Sequence, residues 1–216
     1  MELIFRLKSE FETEILVGKI SNDYLPDFME LLPELSKNEI KTLNSFKSEK
    51  RKSEWISVRM LVKFFFNTYR EIKYTTFGKP FFDSNFNISI SHTSGFVAII
   101  ISKNNEIGID IEKIDNKILK IAEKFILKKE LDSFPISLKK EMIYLNWNCK
   151  ETLFKIYEKG KLDFKTNLIV QIDDIKEFGK INSIIRINDN DKNIILNYKF
   201  LSETTSETNL LLVWYP

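Results

Sequence analysis

Residues 87–102, NISISHTSGFVAIIIS, constrain the fold more than any other stretch of the chain. Ile88 and Ile90 alternate with polar residues, which is the pattern of a strand with one buried face. FVAIIIS is a continuous, β-branched run of strand length, the mark of a buried strand. Between them His92, Thr93, Ser94 and Gly95 read as a four-residue turn. Strands joined this tightly pair antiparallel, so the chain must build antiparallel sheet.

A third strand follows almost at once. In IGIDIEKI, residues 107–114, isoleucines alternate with Gly108, Asp110 and Glu112, which puts both carboxylates on one face. Asp is a poor strand former. Two residues of strand rise separate the acids by about 7 Å, so at an effective dielectric near 20 they repel by roughly 2 kcal/mol. A bound cation reverses that penalty.

The 216 residues suffice for one large domain or two small ones, with roughly 70% of the unfolded surface buried. The single cysteine, Cys149, excludes an internal disulfide. No cationic start leads into an apolar segment with a small-residue cleavage site, so a cytoplasmic location is expected. No apolar run approaches the roughly 20 residues of a membrane span. Net charge is +2, but residues 1–35 carry −5 and residues 36–79 carry +7. The second segment either attracts an anion or forms a solvated, lysine-rich helix face. A total of +2 argues against a nucleic-acid binder, which needs a broad positive face.

Ser36 to Glu39, SKNE, has the form of a capping box, so a helix is expected to start there. In the next helical pattern Trp55, Val58, Leu61, Val62, Phe65 and Tyr69 share a face. Lys52, Arg59, Lys63 and Arg70 lie within about 60° of one another on another, giving an amphipathic helix with a basic edge. FGKP at 77–80 breaks the chain. Helical patterns recur at about 116–131 and 138–158, and NIILNYKFL and NLLLVWYP form a late hairpin around a Ser/Thr/Glu-rich turn. Each half thus runs from helices into a hairpin, which predicts an α+β chain of two similar α/β halves, residues 1–106 and 107–216, each with helices on a mainly antiparallel sheet.

In WNCKETLFK, residues 147–155, Trp147, Glu151 and Lys155 form an i, i+4 stripe on a helix. Such a Glu–Lys pair is often only a surface contact of about 0.3–0.5 kcal/mol, and Trp147 also suits a core. His92 is the only histidine, so no zinc site of the usual N/S pattern can be assembled. A Ser-His-Asp triad would lack a G-x-S-x-G elbow. At the hairpin tip the imidazole, hydroxyls and N–H groups either hold a phosphate or merely close the turn. Combined, an acidic pair, a helical Glu, a hydroxyl-rich turn bearing His and a basic helix are the parts of a site for a polyphosphate with Mg²⁺. No G-x-x-x-x-G-K-[ST] is present, so a P-loop is not expected.

FGKPFF, NISISHTSG, IGIDIEKI and the W-x-x-K-E-x-x-x-K frame of WNCKETLFK, with KRKSEW and Arg59 before them, resemble the 4′-phosphopantetheinyl transferases of the larger, two-halved type. The resemblance runs from about residue 46 to residue 162. It implies a pseudo-twofold pair of α/β halves with the site between them, a monomer that transfers the phosphopantetheine arm of coenzyme A to a serine of an acyl or peptidyl carrier protein, releasing 3′,5′-ADP. Asp110, Glu112 and Glu151 would hold Mg²⁺, or Mn²⁺, on the pyrophosphate. Lys155 would steady the phosphate, and Glu151 would take the serine proton directly or through a water. Lys79, Ser91 and His92 would contact coenzyme A phosphates, and the cluster of Lys50, Arg51 and Lys52 the 3′-phosphate. An acidic carrier would suit the +7 segment. A non-catalytic module that senses coenzyme A or a nucleotide is the alternative. Thr93 and Thr152 stand where the family commonly has other small residues, and the first 35 and last 50 residues carry no motif.

Overall fold

A computed structural model describes residues 1–9, 12–21, 23–157, 160–188, 190–202 and 209–216. It is a mixed chain with two antiparallel sheets and, among the described residues, five α-helices. Two compact units are present, Met1–Ile107 with Pro216, and Gly108–Tyr215.

The first unit opens with a hairpin, β1 (Glu2–Ser9) and β2 (Thr13–Lys19). Three helices follow: α1 (Leu25–Leu31), α2 (Lys37–Ser45) and α3 (Glu49–Phe66). Then come the short β3 (Lys73–Tyr74) and β4 (Pro80–Phe81), and the long β5 (Phe86–Thr93) and β6 (Phe96–Lys103). The sheet order is β1-β2-β6-β5-β4-β3. β6, the FVAIIIS strand, is central and buried throughout. The turn between β5 and β6 is tighter than expected. His92 and Thr93 still pair with Val97 and Phe96, leaving only Ser94 and Gly95 to connect the strands. Gly95 has φ +82°, a left-handed conformation that glycine adopts without a Cβ clash.

The capping box forms: Ser36 Oγ accepts from the Glu39 amide, and Glu39 returns a bond to the Ser36 amide. α3 packs Val58, Leu61 and Val62 on Leu16, Ile88, Val97, Ile99 and Ile101 of the sheet. It ends earlier than the apolar spacing predicts. Asn67 takes a left-handed C-cap, so Tyr69 and Arg70 lie beyond the helix. The basic edge is also corrected. Arg59 is 1% exposed; its Nε donates to Glu39 Oε1 at 2.9 Å, its guanidinium lies 3.1 Å from the Trp55 ring centroid, and the Tyr69 hydroxyl donates to the same Glu39 oxygen. Lys63 pairs with Glu30 and Glu34 at 3.0 and 2.9 Å. Part of the positive segment therefore neutralises acids within its own unit, including acids of the negative first 35 residues.

The second unit begins with β7 (Gly108–Lys113), the strand of the acidic pair. The expected helix over 116–131 is replaced by 3₁₀ turns at Asn116–Lys120 and Ala122–Lys124 and a short α4 (Lys128–Ser133). The apolar spacing of Ile118, Ala122, Phe125 and Ile126 was helical, but the Lys150 ammonium takes the Phe125 carbonyl at 2.7 Å, and the amides of Ile121 and Phe125 bond three residues back. The long α5 (Lys139–Tyr157) follows, then β8 (Leu168–Gln171), β9 (Phe178–Ile187), β10 (Asn190–Ser202) and β11 (Asn209–Tyr215). The sheet order is β7-β11-β10-β9-β8. The expected Ser/Thr/Glu-rich turn at 203–208 lies outside the described residues. α5 lies on the sheet through Leu145, Cys149, Leu153 and Ile156, and Asn148 Nδ2 donates to Leu211 O at 3.0 Å. Cys149 is fully buried, and burial pushes its thiol pKa up. No helix among the described residues is long and apolar enough to cross a membrane.

Candidate functional site

In the second unit strand and helix periodicity converge on one spot. Gly108, Asp110 and Glu112 share the face of β7 turned to α5. A Cβ on Gly108 would stand 2.8 Å from Ile156 Cγ1 and 2.9 Å from Thr152 O, so a bare glycine lets helix and strand close together. That approach brings the stripe of Trp147, Glu151 and Lys155 over the acids. Lys155 Nζ donates to Asp110 Oδ1 and to Ile109 O, both at 2.8 Å. Trp147 Nε1 donates to Glu112 Oε1 at 3.3 Å, while its ring packs on Phe125 and Phe164. Trp147 thus belongs both to the core and to the acidic cluster.

Asp110 is only 4% exposed. Burial, then the nearby Asp110 charge, pushes the Glu151 carboxyl up to about 7, with Glu112 adding to the rise and Lys155 opposing it. Negative charge is in excess here, and Glu151 is poised to hold or release a proton near neutral pH. Among the described residues no group of three or more His, Cys, Asp or Glu side chains stands arranged to hold a metal ion. At Asp110 the positive charge comes from Lys155.

One further residue in α5 escaped functional notice. Lys150, 1% exposed, donates to the carbonyls of Phe125 and Phe164, both at 2.7 Å, and burial lowers its pKa to about 8. It ties two connecting segments to the helix that carries Glu151. Its signal in the sequence was the adjacent Lys-Glu pair.

In the first unit the N-terminal turns of α3 meet β5. Ser48 caps α3 by accepting from the Arg51 amide. Arg51 Nη1 lies 2.9 Å from His92 Nε2, and the buried Glu54 carboxylate stands 3.4 Å from Arg51 Nη1, 3.8 Å from Lys50 Nζ and 3.7 Å from His92 Nδ1. Lys52 turns aside to Glu49 at 2.7 Å. An open cavity of about 310 Å³ borders this cluster, lined by Tyr24, Glu49, Lys50, Ser53 and Gly95 among others. Strand alternation separates two of the expected phosphate contacts: His92 shares the α3 face with Ile88 and Ile90, whereas Ser91 is buried on the opposite face. Lys79 stands in a turn where Gly78 has φ +84° and the Thr75 amide bonds the Lys79 carbonyl, just before β4. Glu54 was missed by sequence reasoning. Its local signal was the pair of cations three and four residues before it, Arg51 and Lys50; the approach of β5 adds His92.

The described residues thus gather carboxylates beside a lysine in the second unit, and cations at the start of α3 in the first. A curated 4′-phosphopantetheinyl transferase, gsp, of Aneurinibacillus migulanus is 37% identical to the chain over 87 residues, covering 39% of this chain and 36% of that protein. Over that stretch the chain is similar to this transferase, and the similarity supports the 4′-phosphopantetheinyl transferase family. The chain thus spans about a third of the length of the relative it matches, 36%. No protein-family model matches it.

Proposed function

We propose that the protein transfers the 4′-phosphopantetheine arm of coenzyme A to a serine of an apo acyl or peptidyl carrier protein, releasing 3′,5′-ADP, in a reaction dependent on Mg²⁺ or Mn²⁺. The observation that carries this reading is the convergence of Glu151 and Lys155 of α5 on Asp110 and Glu112 of β7. The donor set fits a hard divalent cation, since all three acids offer only oxygen and their mutual repulsion leaves uncompensated negative charge. Asp110, Glu112 and Glu151 would hold the ion, which when bound neutralises charge on the pyrophosphate.

The chain's own residues supply the rest. Lys155, bonded to Asp110 in the free protein, would turn its ammonium to a phosphoryl oxygen. Glu151 is also the candidate base, taking the proton of the attacking serine directly or through a water. Trp147 holds Glu112 in place through its indole N–H. Lys50, Arg51 and His92 are the groups for the 3′-phosphate end; Lys52 is engaged by Glu49. Lys79 completes the proposed coenzyme A contacts; Ser91, buried on the face of β5 opposite His92, could join them only through its backbone. The pseudo-twofold duplication, the preference for an acidic carrier, the monomeric state and the cytoplasmic location belong to the same proposal.

Intact-mass spectrometry of apo carrier proteins incubated with the protein, coenzyme A and Mg²⁺ tests it. A mass gain of one phosphopantetheine, lost in Glu151→Gln, is expected. No gain across acyl and peptidyl carriers, with coenzyme A still bound, would instead favour the sensor.

A further inference from the structure

Glu54 has no part in the chemistry above, yet it is 5% exposed and is the point on which Lys50, Arg51 and His92 all converge. A buried carboxylate with no cation beside it is strongly unfavourable, so its neighbours are held as firmly as it holds them. Arginine offers only donors. Across the 2.9 Å contact with Arg51 Nη1, His92 Nε2 must therefore be the acceptor, and the ring's proton sits on Nδ1. That atom stands 3.7 Å from Glu54 Oε2, beyond hydrogen-bond distance, so the direct bond of Glu54 here is to Arg51, whose Nη1 donates to the same oxygen at 3.4 Å.

We propose that Glu54 is a positioning residue for the anion-binding end of the first unit: it locks the Arg51 guanidinium against the imidazole and, through that guanidinium, holds His92 as the Nδ1–H tautomer. The guanidinium is thereby aimed before any phosphate arrives, and Lys50, whose side chain is 65% exposed, stays at the surface to meet it. What the arrangement serves, a phosphomonoester of coenzyme A, rests on the function proposed above. The arrangement itself does not.

His92 is the only histidine, so one imidazole spin system reports the tautomer without assignment. Long-range ¹H–¹⁵N correlation spectra at alkaline pH, with no ligand present, compare the wild type with Glu54→Gln and Glu54→Ala. The wild type is expected as Nδ1–H, and Glu54→Gln, which keeps an acceptor oxygen, stays close to it. In Glu54→Ala the Arg51 guanidinium loses its anchor, and the tautomer ratio shifts toward Nε2–H by about tenfold, the effect of losing one donor of ordinary strength at Nε2. A wild-type Nε2–H tautomer, or the same ratio in both variants, overturns the proposal. Calorimetric titration of the wild type with 3′,5′-ADP judges the coenzyme A reading separately: failure to bind removes that reading and leaves the spectra to decide on Glu54.

Discussion

Glu151→Gln is expected to stabilise the metal-free protein above neutral pH. Burial and the charge of Asp110 raise the folded carboxyl from 4.5 to about 7, so between those values the folded chain keeps a proton that the unfolded chain has lost. Stability that is fully present below about pH 4.5 is thus lost as pH rises toward 7. The interval from 4.5 to about 7 is worth at most about 3.4 kcal/mol at 1.36 kcal/mol per pH unit. Glu151 is only partly buried and Lys155 can turn toward it, so about 1.5–2 kcal/mol is the working figure after screening. Urea denaturation in a chelator, from pH 4.5 to 8.5, measures it. The wild type should lose stability across the window, and the variant should lose about 1.5–2 kcal/mol less. Added Mg²⁺ should restore the wild type above pH 7 by mass action and leave the variant unmoved. Parallel pH profiles for the two proteins would refute the electrostatic reasoning, whatever the transfer assay gives.

Gly108→Ala should destabilise the second unit by about 1–3 kcal/mol through overpacking, because the new methyl meets the Thr152 carbonyl and Ile156; thermal melts read it. Arg59→Met should cost about 3–5 kcal/mol by leaving Glu39 buried without its cation, and the double variant Glu39→Gln with Arg59→Met should recover most of the loss in denaturant titrations. Lys150→Met strips two carbonyls of their donor but also removes a buried ammonium, for a net loss of about 1–3 kcal/mol at neutral pH. Because burial lowers the folded Lys150 pKa to about 8 from 10.5, wild-type stability should rise from about pH 8 toward 10.5, and the variant should lack that rise.

What could be read from the sequence was what is local. The cap at Ser36, the alternation in β5 and the apolar run of β6 are settled by residues within a few positions of one another. β1 and β2 were not seen, because no motif marks the first 35 residues and β1 exposes most of its side chains. The misread helix at 116–131 failed for a distant reason: Lys150, some 25 residues away, claims a carbonyl that a regular helix would use. Arg59 was placed on a basic edge from its angle alone, whereas the acid and ring that bury it come from outside its own turn and from the turn before it. For the acidic cluster, period two gave the pairing of Asp110 with Glu112, and period four gave the stripe of Trp147, Glu151 and Lys155. Their meeting depends on Gly108, whose role as a contact point no periodicity announces.

The lone thiol offers a clock for this site. Cys149 lies in the interior two positions before Glu151, with its thiol held protonated by burial, and an inert thiol reacts only when its surroundings part. The rate at which a maleimide or disulfide reagent captures it therefore counts the openings of α5. Coenzyme A analogues, chelators or carrier proteins that brace or loosen that helix should each set the rate at which the chain is tagged.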